Sequence, residues 1–241
     1  MGARERPFLT AQWRHLAMLN FEIDPKVLQP YVPVGTELDS WQGRTFMSVV
    51  GFLFLETRVW GVPIPYHRDF EEVNLRFYVR RRADEGWRRA VVFVKEIVPR
   101  AAIALTARLL YGENYVALKM QHSIDDAPRA KSVSYRWWLD GQEHRIGMSV
   151  AGEAQDVKEG SEQEFITEHY WGYVHGGGRT TEYHVEHPRW RVSPAMSARL
   201  ECDVAALYGT QFVEFLNAAP TSAFLADGSE VAVSRGVKLS P

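Results

Sequence analysis

The strongest hydrophobic pattern in the chain runs over residues 70–79. Val73, Leu75, Phe77 and Val79 alternate with Glu72, Asn74, Arg76 and Tyr78. Successive side chains of a strand point to opposite faces, so this period of two predicts a strand with one apolar and one polar face. Asp84-Glu85-Gly86 predicts a turn, and residues 90–98 the returning strand of a hairpin. Residues 45–55 are rich in β-branched and aromatic side chains and predict a strand buried on both faces. Alternation returns over residues 115–121, with Tyr115, Ala117 and Lys119 on one face and Val116, Leu118 and Met120 on the other. Residues 132–139 and 143–150 predict a second hairpin around Asp140-Gly141, and 180–187 a strand ended by Pro188. A last short strand is expected at Val231-Ala232-Val233.

Helical signals are fewer. Asp24 followed by Pro25 marks a helix start that Pro30 and Pro33 soon end. Residues 99–111 are apolar nearly all round, opened by Pro99 and closed by Gly112, and predict a buried helix whose polar exception is Arg108. Ser161-Glu162-Gln163-Glu164 is a capping box. Residues 207–217 carry Phe212, Phe215 and Leu216 on one helical face. The acidic stretch 151–164 is expected to be a mobile surface loop, and Gly176-Gly177-Gly178 a turn. Hairpins without βαβ alternation predict an α+β fold with a largely antiparallel, closed or strongly curled sheet, as one domain over residues 1–241.

Composition narrows the function. The chain has 28 basic and 30 acidic residues, a balance that lacks the bulk positive charge of a nucleic-acid binder. At 46% hydrophobic it is too apolar for disorder. Cys202 is the single cysteine, so an intramolecular disulfide is impossible, which suits a reducing cytoplasm. It stands between Glu201 and Asp203, whose carboxylates oppose a thiolate, so it is expected to be structural. No secretory signal is seen, and no apolar run approaches the ~20 residues of a membrane helix. A cytoplasmic protein without membrane or nucleic-acid partners is expected. Exposed β-edges are compatible with a homodimer.

The candidate chemistry lies on the polar strand faces. Polar residues in alternation usually face water. The other reading is that Glu72, Asn74 and Arg76 line a cavity, with acid and cation about 7 Å apart along the strand. Tyr115 and Lys119 share a face in the same way, against the plain reading of a snorkelling surface lysine. Arg108 on its apolar helix is costly to bury unpaired, and Glu72 is its expected partner. His184 and His187 are three apart and point to opposite faces of a strand, so no metal site is expected there. Gly176-Gly177-Gly178 lacks a following helix that could hold a phosphate. His67 precedes the Glu72 strand and could cover a pocket mouth.

Several spaced motifs carry a family resemblance. Phe70-x-Glu72-x-Asn74-x-Arg76-x-Tyr78-Val79, Ala107-Arg108, Asn114-Tyr115-x-Ala117-x-Lys119-Met120 and Tyr183-x-Val185-x-His187-Pro188-x-Trp190 resemble the YqjF-like uncharacterised bacterial family. That family is grouped with the acetoacetate decarboxylase-like superfamily, and the resemblance spans the chain from Trp13 to about Val233. It implies a curled antiparallel β-barrel or cone with helices outside and a central cavity. Glu72, Arg76, Tyr115 and Lys119 would then look inward, as acid/base and carbonyl-polarising groups, with Asn74, Arg76, Arg108 and His187 binding a ligand. Acetoacetate decarboxylase forms a Schiff base on a lysine of a Gly-x-Pro-Lys-Lys stretch. The nearest match here, Gly112-Glu113-Asn114-Tyr115-Val116, has lost the proline and both lysines. The resemblance implies either an enzyme acting on an oxo-acid or small aromatic acid, or a non-catalytic binder of a small carboxylate-bearing molecule, with no metal or cofactor. A protein–protein adaptor would instead need Trp137, Trp138, Trp171 and Trp190 in an exposed patch.

Overall fold

The structure, a computed structural model, describes residues 6–63, 68–99, 114–127, 130–176 and 178–239. Sixteen strands are present among the described residues. They are β1 (Leu9–Glu22), β2 (Glu37–Leu38), β3 (Phe46–Val59), β4 (Val62–Pro63), β5 (Phe70–Ala83), β6 (Gly86–Val98), β7 (Tyr115–Ala117) and β8 (Lys119–Ala127). There follow β9 (Ala130–Leu139), β10 (Gln142–Ala151), β11 (Gln155–Asp156), β12 (Trp171–Gly176), β13 (Arg179–Glu186), β14 (Arg191–Glu201), β15 (Ser222–Val233) and β16 (Val237–Lys238). Seven of them form a closed barrel in the order β13-β12-β6-β5-β3-β1-β15. Closure rests on Val185 opposite Val233 and Glu186 opposite Ala232. Barrel neighbours are antiparallel except β12 and β6, which meet in parallel at Trp171–Ala90 and Gly172–Val91. The fold is the α+β, largely antiparallel curled barrel that the hairpins predict.

A second layer leaves the barrel at β15 through β14, β10, β9 and β8. Its β9–β10 hairpin turns at Asp140 and Gly141, whose φ angles of 50° and 81° match the right-handed strand twist as a primed turn requires. β1 curls with the help of a bulge between Arg14 and Ala17, where His15 has φ 55°. The bulge leaves the His15 carbonyl to accept from the Tyr135 hydroxyl at 2.8 Å, which ties the second layer to the barrel.

The alternation of β5 now has a physical meaning. Its apolar face joins Leu53, Tyr135, Trp137 and Ile146 in a core between the barrel and the outer layer. Its other face, with Phe70 and Tyr78, joins Phe52, Phe54, Phe165 and Trp190 inside the barrel. Glu72, Asn74, Arg76 and Tyr78 are all buried, so the usual polar-outward meaning of alternation fails because both faces are covered.

Other expectations change. The stretch 151–164 is tied down: β11 pairs with β14, the Trp41 indole donates to the Gly160 carbonyl at 3.0 Å, and Ser161 caps the helix Glu162–Thr167. The helix expected over 207–217 is divided into Val204–Leu207 and Val213–Leu216 around a 3-10 turn, because Gly209 adopts φ 112°. The helix expected over 99–111, with Arg108, lies outside the described residues, as does His67. Strands β1, β12 and β14 extend beyond what alternation signals. The four tryptophans do not share a surface: Trp137 is buried in the outer core and Trp190 in the inner one.

Gly51 on β3 is where the layers approach most closely. A Cβ there would lie 2.5 Å from a Tyr135 ring carbon and 2.9 Å from Ile146 Cγ2. Gly51→Ala should therefore destabilise by overpacking, on the order of 1–3 kcal/mol. Chemical denaturation of the variant beside the native chain measures this, with a lower midpoint at unchanged slope as the expected result.

Candidate functional site

The barrel encloses a cavity of about 110 Å³. One water needs roughly 10–15 Å³ measured this way, so the space holds a ligand of several heavy atoms. One wall is aromatic: Trp13 lies edge-on to Phe52 at 5.4 Å and Phe54 at 5.7 Å, with Trp190 at 6.2 Å. The adjoining wall is polar and comes from three neighbouring strands. Asn74 of β5 lies beside Glu96 of β6, and Glu96 beside Tyr115 of β7. This register brings residues far apart in sequence to one patch.

Glu72 is 3% exposed. Its Oε1 accepts from the Asn74 amide at 2.9 Å and its Oε2 from the Tyr115 hydroxyl at 3.5 Å. Burial raises its pKa to about 7, against the pull of those two hydrogen bonds and the charge of Arg76. Near neutral pH it therefore exchanges a proton readily, as general acid/base chemistry requires.

Arg76 is 8% exposed and makes no ion pair among the described residues. Its Nη2 is 4.0 Å from the Met18 sulfur, its guanidinium carbon is 5.8 Å from the Tyr78 ring centroid, and its Nε has no hydrogen-bond partner. Buried guanidinium groups are ordinarily paired. An unpaired one on a cavity wall is a ready receptor for a carboxylate, through the fork geometry that arginine supplies.

His187 lies where the cavity meets an outer groove lined by Gln12, Arg58, Glu186 and Glu230. Its ring stacks on Trp190 at 4.2 Å and faces Tyr170 at 4.7 Å. His169 also lines the cavity, and burial lowers its pKa to about 4, so it is neutral at physiological pH. Its Nε2 is 3.4 Å from Asp39, whose other close partner is Arg89 at 2.8 Å.

The structure thus brings Glu72, Asn74, Arg76, Tyr115 and His187 to one cavity. It does not bring Lys119 there. The strand expected over 115–121 breaks at Leu118: β7 stays on the barrel beside β6, while β8 departs to pair with β9. Lys119 is exposed, with its ammonium 4.9 Å from the Trp138 ring centroid. The chain has six lysines, at 26, 95, 119, 131, 158 and 238, and none lines the cavity. Glu72 is held by Asn74 and Tyr115, and the expected partner Arg108 lies outside the described residues. Cys202 is half-buried and its thiol is pushed up to about 12 by burial and by Asp203.

Sequence reasoning missed Trp13, Glu96 and His169 as lining residues. Glu96 could have been found as an acid within the apolar run 90–98. His169 follows a capped helix and has no local signal that separates it from a loop histidine.

The barrel and its polar interior define the class of protein. The chain has the acetoacetate decarboxylase-like fold. It is similar to an acetoacetate decarboxylase-like enzyme from Sphingomonas wittichii, with TM-score 0.68 and 12% identity over 96% of this chain and 93% of that one. Acetoacetate decarboxylase from Legionella pneumophila gives 0.65 and 11% identity, covering 97% and 87%. The enduracididine biosynthesis enzyme MppR, solved in complex with pyruvate, gives 0.67 and 13%, covering 99% and 93%. Within that fold the chain belongs to DUF2071, described as an uncharacterized conserved protein, whose model matches residues 10–230. It is also 32% identical over 75 residues to the uncharacterized protein YqjF of Bacillus subtilis strain 168, a match spanning 31% of each chain.

The raised pKa of Glu72 couples the site to stability. The folded chain binds a proton there up to about pH 7, whereas the unfolded chain releases it near the ordinary 4.5. Stability from this residue is therefore full below pH 4.5, falls as pH rises towards 7, and is lowest above it. The difference corresponds to roughly 3 kcal/mol. Glu72→Gln cannot ionise, so it should be more stable than the native chain at pH 8, by up to about that amount, and equal to it below pH 4.5. Urea midpoints of both proteins across pH 4–8 give the difference curve.

Proposed function

We propose that the protein binds a small oxo-acid in the barrel cavity and transfers a proton at the carbon beside its carbonyl, with Arg76 as the carboxylate anchor and Glu72 as the acid/base. The observation that carries this reading is the pair itself: four residues along the strand from a carboxyl that titrates near neutrality stands a buried guanidinium without an ion-pair partner among the described residues. The cavity volume favours short acids, and the pyruvate bound by MppR is a ligand of the same chemical class. Tyr115, whose hydroxyl reaches Glu72, would hold the carboxylate form in place and, once Glu72 takes up a proton, turn its single hydrogen to the ligand's carbonyl oxygen. Asn74 fixes the orientation of Glu72.

The reaction does not run through a lysine imine, since no lysine reaches the cavity. Glu72 in its ionised form removes the proton, and the negative charge that develops on the carbonyl oxygen is met by the Tyr115 hydroxyl and the Arg76 cation. In its neutral form Glu72 returns the proton. A binder without chemistry would use the same anchor and leave Glu72 idle.

Exchange of the methyl protons of pyruvate for deuterium, followed by proton NMR in D2O, separates the two. The native chain should accelerate exchange and Glu72→Gln should abolish it while retaining binding. Arg76→Met should weaken pyruvate binding by roughly ten- to a hundredfold, the loss of a charged hydrogen-bond pair. Borohydride with pyruvate should leave no covalent adduct on Lys119. Binding without exchange would assign the protein to the non-catalytic class, and binding unaffected by Arg76→Met would overturn the anchor.

A further inference from the structure

His187 has one nitrogen committed and one open. Its Nδ1 lies 2.9 Å from the Pro188 carbonyl oxygen. A carbonyl can only accept, so Nδ1 carries the hydrogen. Burial keeps the ring neutral, and the charges of Arg76 and His184 act in the same direction, against the Pro188 carbonyl and Glu168. Nε2 is then a lone pair. No described residue donates to it, and it is not sealed from the space that His187 lines. Trp190 and Tyr170 pack against the ring and hold its plane. What it presents is a fixed hydrogen-bond acceptor.

The barrel order sets where that acceptor stands. β13, which His187 follows, is three strands from β5 in a ring of seven, as far around the wall as two strands can be. A ligand with its carboxylate on Arg76 that spans the barrel reaches the side on which His187 stands. Among the polar groups of the lining, Arg76 donates, Glu72, Asn74 and Tyr115 serve either way, and His187 in this tautomer offers only the Nε2 lone pair. An acceptor facing an acceptor or an apolar group loses a hydrogen bond it would otherwise make with water.

We propose that the natural ligand carries a hydroxyl group at the end remote from its carboxylate, and that His187 Nε2 accepts its hydrogen. This rests on the oxo-acid reading above and names the substrate class more closely, as a hydroxy-oxo acid. A hydroxyl meets this lone pair with its single hydrogen and brings no charge beside a ring that burial keeps neutral.

The test uses three acids that share a carboxylate and ketone and differ at the far carbon: pyruvate, 3-fluoropyruvate and 3-hydroxypyruvate. Calorimetry on the native chain should show 3-hydroxypyruvate bound roughly three- to tenfold more tightly than the other two, the worth of one neutral hydrogen bond. His187→Phe keeps a ring between Trp190 and Tyr170 but has no lone pair. On that variant 3-hydroxypyruvate and pyruvate should bind equally, so the preference for the hydroxy acid is lost. Nitrogen-15 shifts of the native ring should report hydrogen on Nδ1 alone, which checks the tautomer without any variant. Equal binding of all three acids to the native chain, an equal loss for all three in His187→Phe, or hydrogen on Nε2 would each overturn the proposal while leaving the Arg76 anchor and pyruvate binding by the native chain standing. Absence of binding by every acid would instead overturn the oxo-acid reading and this inference with it.

Discussion

The architecture depends on holding ionisable groups away from bulk water inside a sheet. Glu72 and Arg76 occupy the inner face of one strand, and each responds to desolvation differently. The carboxyl relieves its penalty by taking up a proton near neutrality, which is why its pKa stands at about 7. The guanidinium cannot discharge itself, so it keeps a positive charge in a cavity where no described carboxylate pairs with it. One group gives the site a titratable proton and the other gives it a sign. Together they are the two features on which the oxo-acid proposal rests.

That arrangement is stable only because the fold is held elsewhere. The packing between barrel and outer layer involves the opposite faces of the same strands, with Val73, Leu75, Phe77 and Val79 against Tyr135, Trp137 and Ile146. The hydroxyl of Tyr135 and the missing side chain of Gly51 set how closely the two layers approach. Desolvating charge is costly, and the apolar area buried on the outer face offsets it.

Much of this was legible in the sequence. Strict alternation located β5, and the turn residues located both hairpins, because those signals are local. The family motifs turned the polar face of β5 inward, where alternation alone favours solvent. Lys119 was misplaced because side-chain parity survives only while a strand continues, and the chain leaves the barrel at Leu118. A ladder change of this kind has no marker in composition. Trp13, Glu96 and His169 were missed because their meaning comes from register between distant strands, as with Asn74 beside Glu96 beside Tyr115. The divided helix around Gly209 is the opposite case: one glycine, visible in the sequence, outweighed the apolar face of the residues after it.

Because β5 is braced on its outer side and polar on its inner side, the two halves of its sequence answer to different demands. Odd-numbered positions from 73 to 79 secure the scaffold, and even-numbered positions from 72 to 76 line the cavity. Exchange of a lumen residue can then change the shape and charge of the cavity with little effect on the brace.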